Sequence, residues 1–404
     1  MPNALALSPQ SLNLTPMSDS PQTVLIFKGA TQYGASNHFL DAFDATYRSL
    51  GLNTVVIDLS SQSEAAIEQL KDAILNQNVL FAIGINANGQ FKVDDKSIYD
   101  IARIPHVSWL MDHPVYHLEP VQNLAQDFGV VAVVDRDHGP FLQAAVSPEP
   151  ASLFLPHGGC LSPDTPDQER DLDLLFSGTG VSPESVRDEW ANHSETARSC
   201  YEAGLALSQA DPELRLMDMA SQVFQNLGLA PARDLFVDTM LQVERYLRAH
   251  ERYSMLKTLD DAGQPAHIFG NGWDFAQFTH HQLHASVPFE ESIALLKRSK
   301  ISLNLSSFFK DGAHDRIFSA MLGGAISATN TSPYLEELPG FQDCALTFSP
   351  NSAPLPDQIR SLLAQPKQLA DQAASGKAFA AAGHTFAHRA QTLLNSITEA
   401  FPSN

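Results

Sequence analysis

The chain has 404 residues, 44% of them apolar, enough for two domains of ordinary size with a core each. With 46 acidic against 25 basic residues its net charge is −21, which repels a polyanion and leaves no broad basic footprint for DNA, RNA or anionic lipid. A single phosphorylated small molecule stays open as a ligand, because a few local donors suffice to hold it.

Residues 1–22 are rich in Ser, Pro, Asn and Leu, with no basic n-region and no apolar run long enough for a signal peptide or membrane helix, so they are expected to form a flexible tail. From Thr23 strand and helix signals alternate. VLIFKG leads to an amphipathic run carrying Phe39, Phe43, Tyr47 and Leu50 before Gly51, and TVVIDL follows. That is a βαβ opening. The helical run Glu64 to Leu75 precedes further strand candidates at 79–85, 106–111, 130–134 and 152–156. The first half, 23–160, therefore reads as a doubly wound, Rossmann-like parallel domain.

Five prolines between Pro148 and Asp173 favour an extended crossing, and the domain boundary is expected there. LDLLFSG (172–178) restarts the strand pattern. Ser182-Pro183 supplies a cap and a first-turn proline for a helical insert over about 182–262, with Phe236, Met240, Val243 and Leu247 on one stripe. AHIFGNGW (266–273), VPF with a helix over 290–297, and ISLNL (301–305) resume the alternation, giving a second Rossmann-like domain over 161–383. A terminal helix over 384–404 closes the chain, with Phe386, Leu393, Leu394 and Ile397 as its apolar stripe.

The most informative junction runs from Asn304 to Glu337, where an apolar strand, a polar loop and a short helix closed by Gly323-Gly324 meet. Loops at strand carboxyl ends face the ligand crevice of an open α/β sheet, so Asp311, His314, Asp315 and Arg316 would project there together. An arginine at a helix start suits a diphosphate. Gly178-Thr179 and Gly270-Asn271-Gly272-Trp273 also end strands, with glycines that admit close backbone approach and a tryptophan able to wall a base or sugar, or else to fill the core.

In the first half, KGATQYG (28–34) precedes a helix with Ser36 as its expected cap, and its backbone N–H groups could face a phosphate or form a plain turn. Asp112 and His113, straight after HVSWLM, could deprotonate a hydroxyl, or could serve as a cap and a hydrogen-bonded histidine. Asp135-Arg136-Asp137 matches a metal-holding DxD, but Arg136 between the carboxylates argues against it, and no metal is expected. His280, His281 and His284 are expected in a solvated loop. Cys160, Cys200 and Cys344 form no CxxC or Cys/His pattern, so neither a disulfide framework nor structural zinc is indicated and a reducing cytosol fits. GxSxG, HExxH, Walker A and kinase motifs are absent.

Taken together, GNGW (270–273), the VPF to ISLNL run, DRIFSAMLGGAISAT (315–329) and HTFAHRAQTLL (384–394) resemble the C-terminal domain of group 1 glycosyltransferases of the spore-maturation-protein type, over roughly residues 170–400. SWLMDHP (108–114) is similar to a short stretch of the matching N-terminal domains. The resemblance implies an α/β protein of two facing Rossmann-like domains (the GT-B fold), the first taking the acceptor and the second, with its helical insertion, the nucleotide sugar. Arg316 and backbone near Gly178 and Gly270 would hold the diphosphate, and Asn304, Asp311, His314 and Ser319 would complete the donor site. Ser319 stands where many relatives carry a glutamate for the nucleotide ribose.

The implied activity is a bacterial-type, cytoplasmic, metal-independent transfer of sugar from a nucleoside-diphosphate sugar to a protein or glycan hydroxyl, with no cofactor beyond that co-substrate, no nucleic-acid partner and no membrane insertion. Asp112 or His113 would be the base if transfer inverts the anomeric carbon. A catalytically silent sugar-nucleotide or glycan sensor, and a nucleotide-sugar epimerase, are the alternatives on the same fold.

Overall fold

A computed structural model of the chain describes residues 21–31, 34–61, 63–160, 169–230, 232–306, 308–349 and 353–402. Most of the expected tail, Gln32 and Tyr33 of the KGATQYG turn, and residues 161–168 of the proline-rich crossing lie outside the described residues. The chain divides into two compact units, one running to Gly158 and taking up the chain again from Phe386, the other spanning Gly159–Thr385.

The first unit is built on a six-stranded sheet of β1 (Gln22–Lys28), β2 (Asn53–Asp58), β3 (Asn78–Ile85), β4 (His106–Leu110), β5 (Gly129–Val133) and β6 (Ala151–Phe154), ordered β2-β1-β3-β4-β5-β6. Every pairing is parallel. β4 and β5 are buried at every position; β5 accordingly reads as an unbroken apolar run, whereas β4 buries His106 and Ser108 within its run.

Helix α1 (Ala35–Ser49) turns Phe39, Leu40, Phe43 and Tyr47 inward, and α2 (Glu64–Asn76) starts at Ser63, whose hydroxyl accepts the Ala66 N–H. The cap of α1 is Gly34, held at φ 80°, so Ser36 falls in the first turn instead of preceding it. The terminal helix, Phe386–Ala400, joins this unit: Phe386 stacks on Phe39 at 4.2 Å and the Tyr47 hydroxyl donates to the Ala390 carbonyl at 3.2 Å.

The second unit repeats the plan with β7 (Leu172–Ser177), β8 (His267–Phe269), β9 (Gln282–His284), β10 (Ser299–Asn304), β11 (Ile326–Thr329) and β12 (Leu346–Thr347), ordered β9-β8-β7-β10-β11-β12 and again parallel throughout. Its helical insert contains α3 (Pro183–Glu189), α4 (Glu195–Ala210), α5 (Leu216–Asn226) and α6 (Arg233–Asp261). Ser182 caps α3 with Pro183 in the first turn, and Met240, Val243 and Leu247 of α6 are buried as their stripe predicts. Helix α7 (Phe289–Arg298) precedes β10, and α8 (Asp315–Leu322) lies between β10 and β11. The segment expected as a solvated loop holds the edge strand β9. There His281 is tied down, accepting the Ala266 N–H at 3.1 Å and lying 2.7 Å from the Leu256 carbonyl.

Candidate functional site

In the second sheet the chain leaves β7 toward β8 and β9 on one side, then returns to lay β10, β11 and β12 on the other. The strand order therefore reverses between β7 and β10, and the carboxyl ends at such a reversal are where open α/β sheets take their ligands. Gly178 and Thr179 follow β7, Asn304 ends β10, and Gly270 to Trp273 follow β8 beside them.

The two glycine turns interlock. Gly178 and Gly180 donate their N–H groups to the carbonyls of Phe269 and Asn271, both at 2.9 Å, and the Trp273 indole N–H donates to the Gly178 carbonyl at 2.9 Å. A Cβ on Gly270 would lie 2.1 Å from the Gly178 oxygen, and one on Gly272 2.3 Å from that of Gly180, so only glycine permits this backbone approach. Trp273 is 3% exposed and packs among Phe176, Phe275 and Phe278, with ring centroids 6.0–6.1 Å apart. The wall for a base that the sequence offered is thus a core aromatic. Thr179, Asn271 and Gly272 remain exposed at the rim.

Asn304 is 1% exposed and spent on structure. Its amide donates to the hydroxyls of Ser306 and Thr329, each at 3.0 Å, tying β10 to β11. The loop beyond it is held from both ends, since Ser306 N–H donates to Asn330 Oδ1 at 2.8 Å and the Ser332 hydroxyl to the Gly312 carbonyl at 2.7 Å. Half-buried Asp311 sits in this loop, which ends at His314, the cap of α8.

His314 Nδ1 accepts the Arg316 N–H at 3.3 Å and lies 2.7 Å from Asp315 Oδ1. These contacts require opposite protonation, because an unprotonated nitrogen caps the helix and a protonated one donates to the carboxylate. Burial lowers the pKa of His314; Asp315 opposes this, while the guanidinium groups of Arg316 and Arg252 add to it. The ring thus sits in the field of two arginines at the positive end of a helix.

Arg252 is the residue the sequence did not single out. It stands on α6 in a stripe with Arg245 and Arg248, at i, i+3 and i+7 spacing that places all three on one helix face. Arg245 pairs with Glu189 at 3.0 Å and Arg248 with Glu244 at 2.6 Å. That stripe was the available signal. Ser319, by contrast, turns inward: it is 1% exposed, and its hydroxyl accepts the Cys160 N–H at 3.0 Å. The backbone of Gly159 packs so closely on α8 that a Cβ there would lie 2.6 Å from the Phe318 carbonyl carbon. Ser319 therefore anchors the entry into this unit instead of facing a ribose.

In the first unit Asp112 is exposed just past β4, whereas His113 is committed. His113 Nδ1 accepts the Val115 N–H at 3.1 Å, and burial, helped by neighbouring His117, lowers its pKa to about 3. Its other nitrogen then carries the proton, so His113 is a poor base. Asp135 is fully buried and its Oδ1 accepts the Asp137 N–H at 2.8 Å, which spends one carboxylate of the DxD on a turn. Gly29 N–H donates to Asn37 Oδ1 at 3.3 Å and Lys28 pairs with Asp41, so the described part of the KGATQYG turn offers an anion little. Among the described residues, no group of three His, Cys, Asp or Glu side chains is arranged to hold a metal.

Two parallel six-stranded sheets of this kind have known counterparts. The fold is GT-B. An α-glucosyltransferase solved with UDP and a 13-mer DNA superposes with a TM-score of 0.55 at 9% identity, covering 94% of this chain and 100% of that one. A DNA-modifying β-glucosyltransferase, solved with and without uridine diphosphoglucose, gives 0.51 at 10% identity, covering 94% and 99%. Sucrose-phosphate synthase from Thermosynechococcus elongatus gives 0.49 at 10% identity, covering 95% and 100%. Residues 248–395 match a family of proteins described as glycosyl transferase-like, a span that opens just before Arg252 and contains α8 whole. No curated protein matches the chain in sequence.

Proposed function

We propose that the chain is a nucleotide-sugar-dependent glycosyltransferase, its second unit of the spore-maturation-protein type, that passes a sugar to a protein or glycan hydroxyl. The observation that carries this reading is the convergence of Arg252, Arg316 and His314 at the start of α8, beside the strand-order reversal, in a chain whose net charge is −21. In sugar transfer the bond from the anomeric carbon to the diphosphate oxygen breaks and negative charge grows on the departing nucleotide. Two guanidinium groups and a helix N-terminus suit that charge without a metal. An arriving diphosphate would also offset the arginines that disfavour a proton on His314, and so draw one onto the ring.

The acceptor hydroxyl must lose its proton, and the exposed Asp112 carboxylate is the group we assign to that step. UDP-glucose is the first donor to test, since the two glucosyltransferases of like fold were studied with UDP or uridine diphosphoglucose. A DNA acceptor fits poorly with so acidic a chain. The three cysteines are free, which suits a cytoplasmic setting.

A thermal-shift panel of UDP-, GDP-, dTDP- and CMP-sugars, each with and without EDTA, tests the reading. A ligand at 100 times its dissociation constant adds about 2.7 kcal/mol, which raises the melting temperature by a few degrees. One nucleotide class should give a shift that survives EDTA. No shift from any sugar nucleotide would remove the reading, and a shift abolished by EDTA would remove its metal-free form.

A further inference from the structure

Among the described residues Tyr116 is the only Phe, Tyr or Trp that is exposed, at 36%. It stands one turn from Asp112, in the 3-10 helix Pro114–His117 just past β4. That turn is held in place. His113 Nδ1 accepts the Val115 N–H at 3.1 Å, the Tyr116 N–H donates to the His113 carbonyl at 3.1 Å, and the His113 ring packs edge to face on His138 and Phe141, with centroids 4.6 and 4.8 Å away. Pro114 and Val115 are buried and His117 is half-buried, so Tyr116 alone among the four residues of the turn is exposed.

A ring on an ordered turn loses little freedom when a ligand covers it. Its surroundings decide which ligand that is. A peptide or protein partner would need a contiguous apolar patch, yet the other exposed large apolar residues described in this unit, Leu50 and Leu75, belong to the end of α1 and to α2. A sugar ring needs one aromatic face for its C–H groups and a few polar neighbours for its hydroxyls. Asp112 before the turn and Glu119 after it are both exposed and supply acceptors. Two carboxylates also repel an anionic ligand.

We propose that Tyr116 is the acceptor platform of the first unit: its ring stacks on a neutral sugar of a glycan and brings a hydroxyl of that glycan to Asp112. The acceptor class is then carbohydrate, not protein. The proton transfer to Asp112 rests on the transferase reading, whereas the sugar-binding surface does not.

Saturation-transfer NMR of the full chain with cellotriose, chitotriose, mannotriose and galactotriose reads this surface without any donor. At least one should bind, and Tyr116→Ala should weaken it about tenfold, the scale of one lost aromatic contact. Tyr116→Trp keeps an aromatic face and should stay within about twofold. Tyr116→Leu, bulky and apolar but without that face, should lose as much as Tyr116→Ala, which separates stacking from a turn that has merely loosened. Trigalacturonate should bind more weakly than the neutral ligand. No binding by any of the four, or binding that Tyr116→Ala and Tyr116→Leu leave unchanged, would overturn the proposal, as would a peptide bearing Ser and Thr that binds through Tyr116 where the sugars do not.

The companion measurement is kinetic, with the donor that the thermal-shift panel selects and the trisaccharide that binds. Tyr116→Ala should raise the acceptor KM about tenfold while donor affinity stays within about twofold. Transfer with an unchanged KM would overturn the acceptor role. A wild type that binds the trisaccharide through Tyr116 but no sugar nucleotide would instead sink the transferase reading and leave the glycan surface standing.

Discussion

The two units share a six-stranded parallel sheet with one reversal of strand order, yet they spend the polar groups at that reversal differently. In the first, between β1 and β3, the turn at Asn86 and Ala87 (φ 52° and 62°) folds back until the Asn88 carbonyl would meet a Cβ on Gly84 at 2.1 Å and its amide one on Gly29 at 2.7 Å. Lys28 and the Gly29 N–H are engaged with Asp41 and Asn37. In the second, His314 at the start of α8 lies in the field of Arg252 and Arg316. One sheet plan thus carries different strand-end residues in the two units, and chemistry has to be argued from those residues, not from the topology.

The comparison predicts its largest contrast in catalysis. Arg316→Ala should cost roughly 100-fold in turnover with the nucleotide sugar that binds, the scale of losing a donor aimed at developing charge, and Arg252→Ala should cost a similar factor. Lys28→Ala, the cation at the other reversal, should leave turnover within about twofold. Initial rates of sugar transfer or donor hydrolysis decide it, and equal losses at Arg316 and Lys28 would erase the distinction between the units.

Much of the architecture was legible in the sequence, because apolar runs bounded by Gly, Pro and Ser report burial directly: each major strand, the Ser182-Pro183 helix start and the α6 stripe follow from local pattern. The site was less legible because commitment is a tertiary property. Nothing local distinguishes Trp273 in the core from a tryptophan at a rim, or says that His113 Nδ1 is taken by Val115. Arg252 was overlooked because an arginine stripe on a long polar helix reads as a solvated face, and only folding sets it beside His314. Strand β9 escaped because three residues are too few for a period to register.

A second contrast concerns acid. His106 is fully buried against Tyr99, and burial lowers its pKa from the usual 6.5 to about 4; burial also lowers His113, to about 3, and holds His138 well below the usual value in the same unit. These rings are neutral when folded, while the unfolded chain takes up protons as pH falls through 6.5. Their neutrality therefore costs nothing above that pH, and stability drains away as pH drops from 6.5 toward 4. For His106 alone the loss between pH 7 and pH 5 is about 2 kcal/mol. Urea unfolding followed by hydrogen exchange should show the first unit losing more stability over that interval than the second, and His106→Gln should flatten the slope by about one proton. Parallel losses in both units would show that the buried histidines of the first do not govern its acid response.

The smallest effect separates two readings of one residue. If Ser319 anchors the Cys160 N–H, as the 3.0 Å contact indicates, Ser319→Ala leaves a backbone donor unsatisfied beside α8 and should lower stability by about 1–2 kcal/mol. Because Ser319 is 1% exposed, affinity for the donor nucleotide should stay within about twofold. A residue that served a ribose would give the opposite pattern, an unchanged melting temperature with affinity down about tenfold, the value of a lost hydrogen bond to a ligand. Melting temperature and calorimetric affinity measured on the same preparation distinguish the two. The anchoring pattern would also account for a neutral side chain here: a carboxylate at this buried position, facing the Cys160 backbone and near Asp315, would have to shed its charge or unfold the turn it supports.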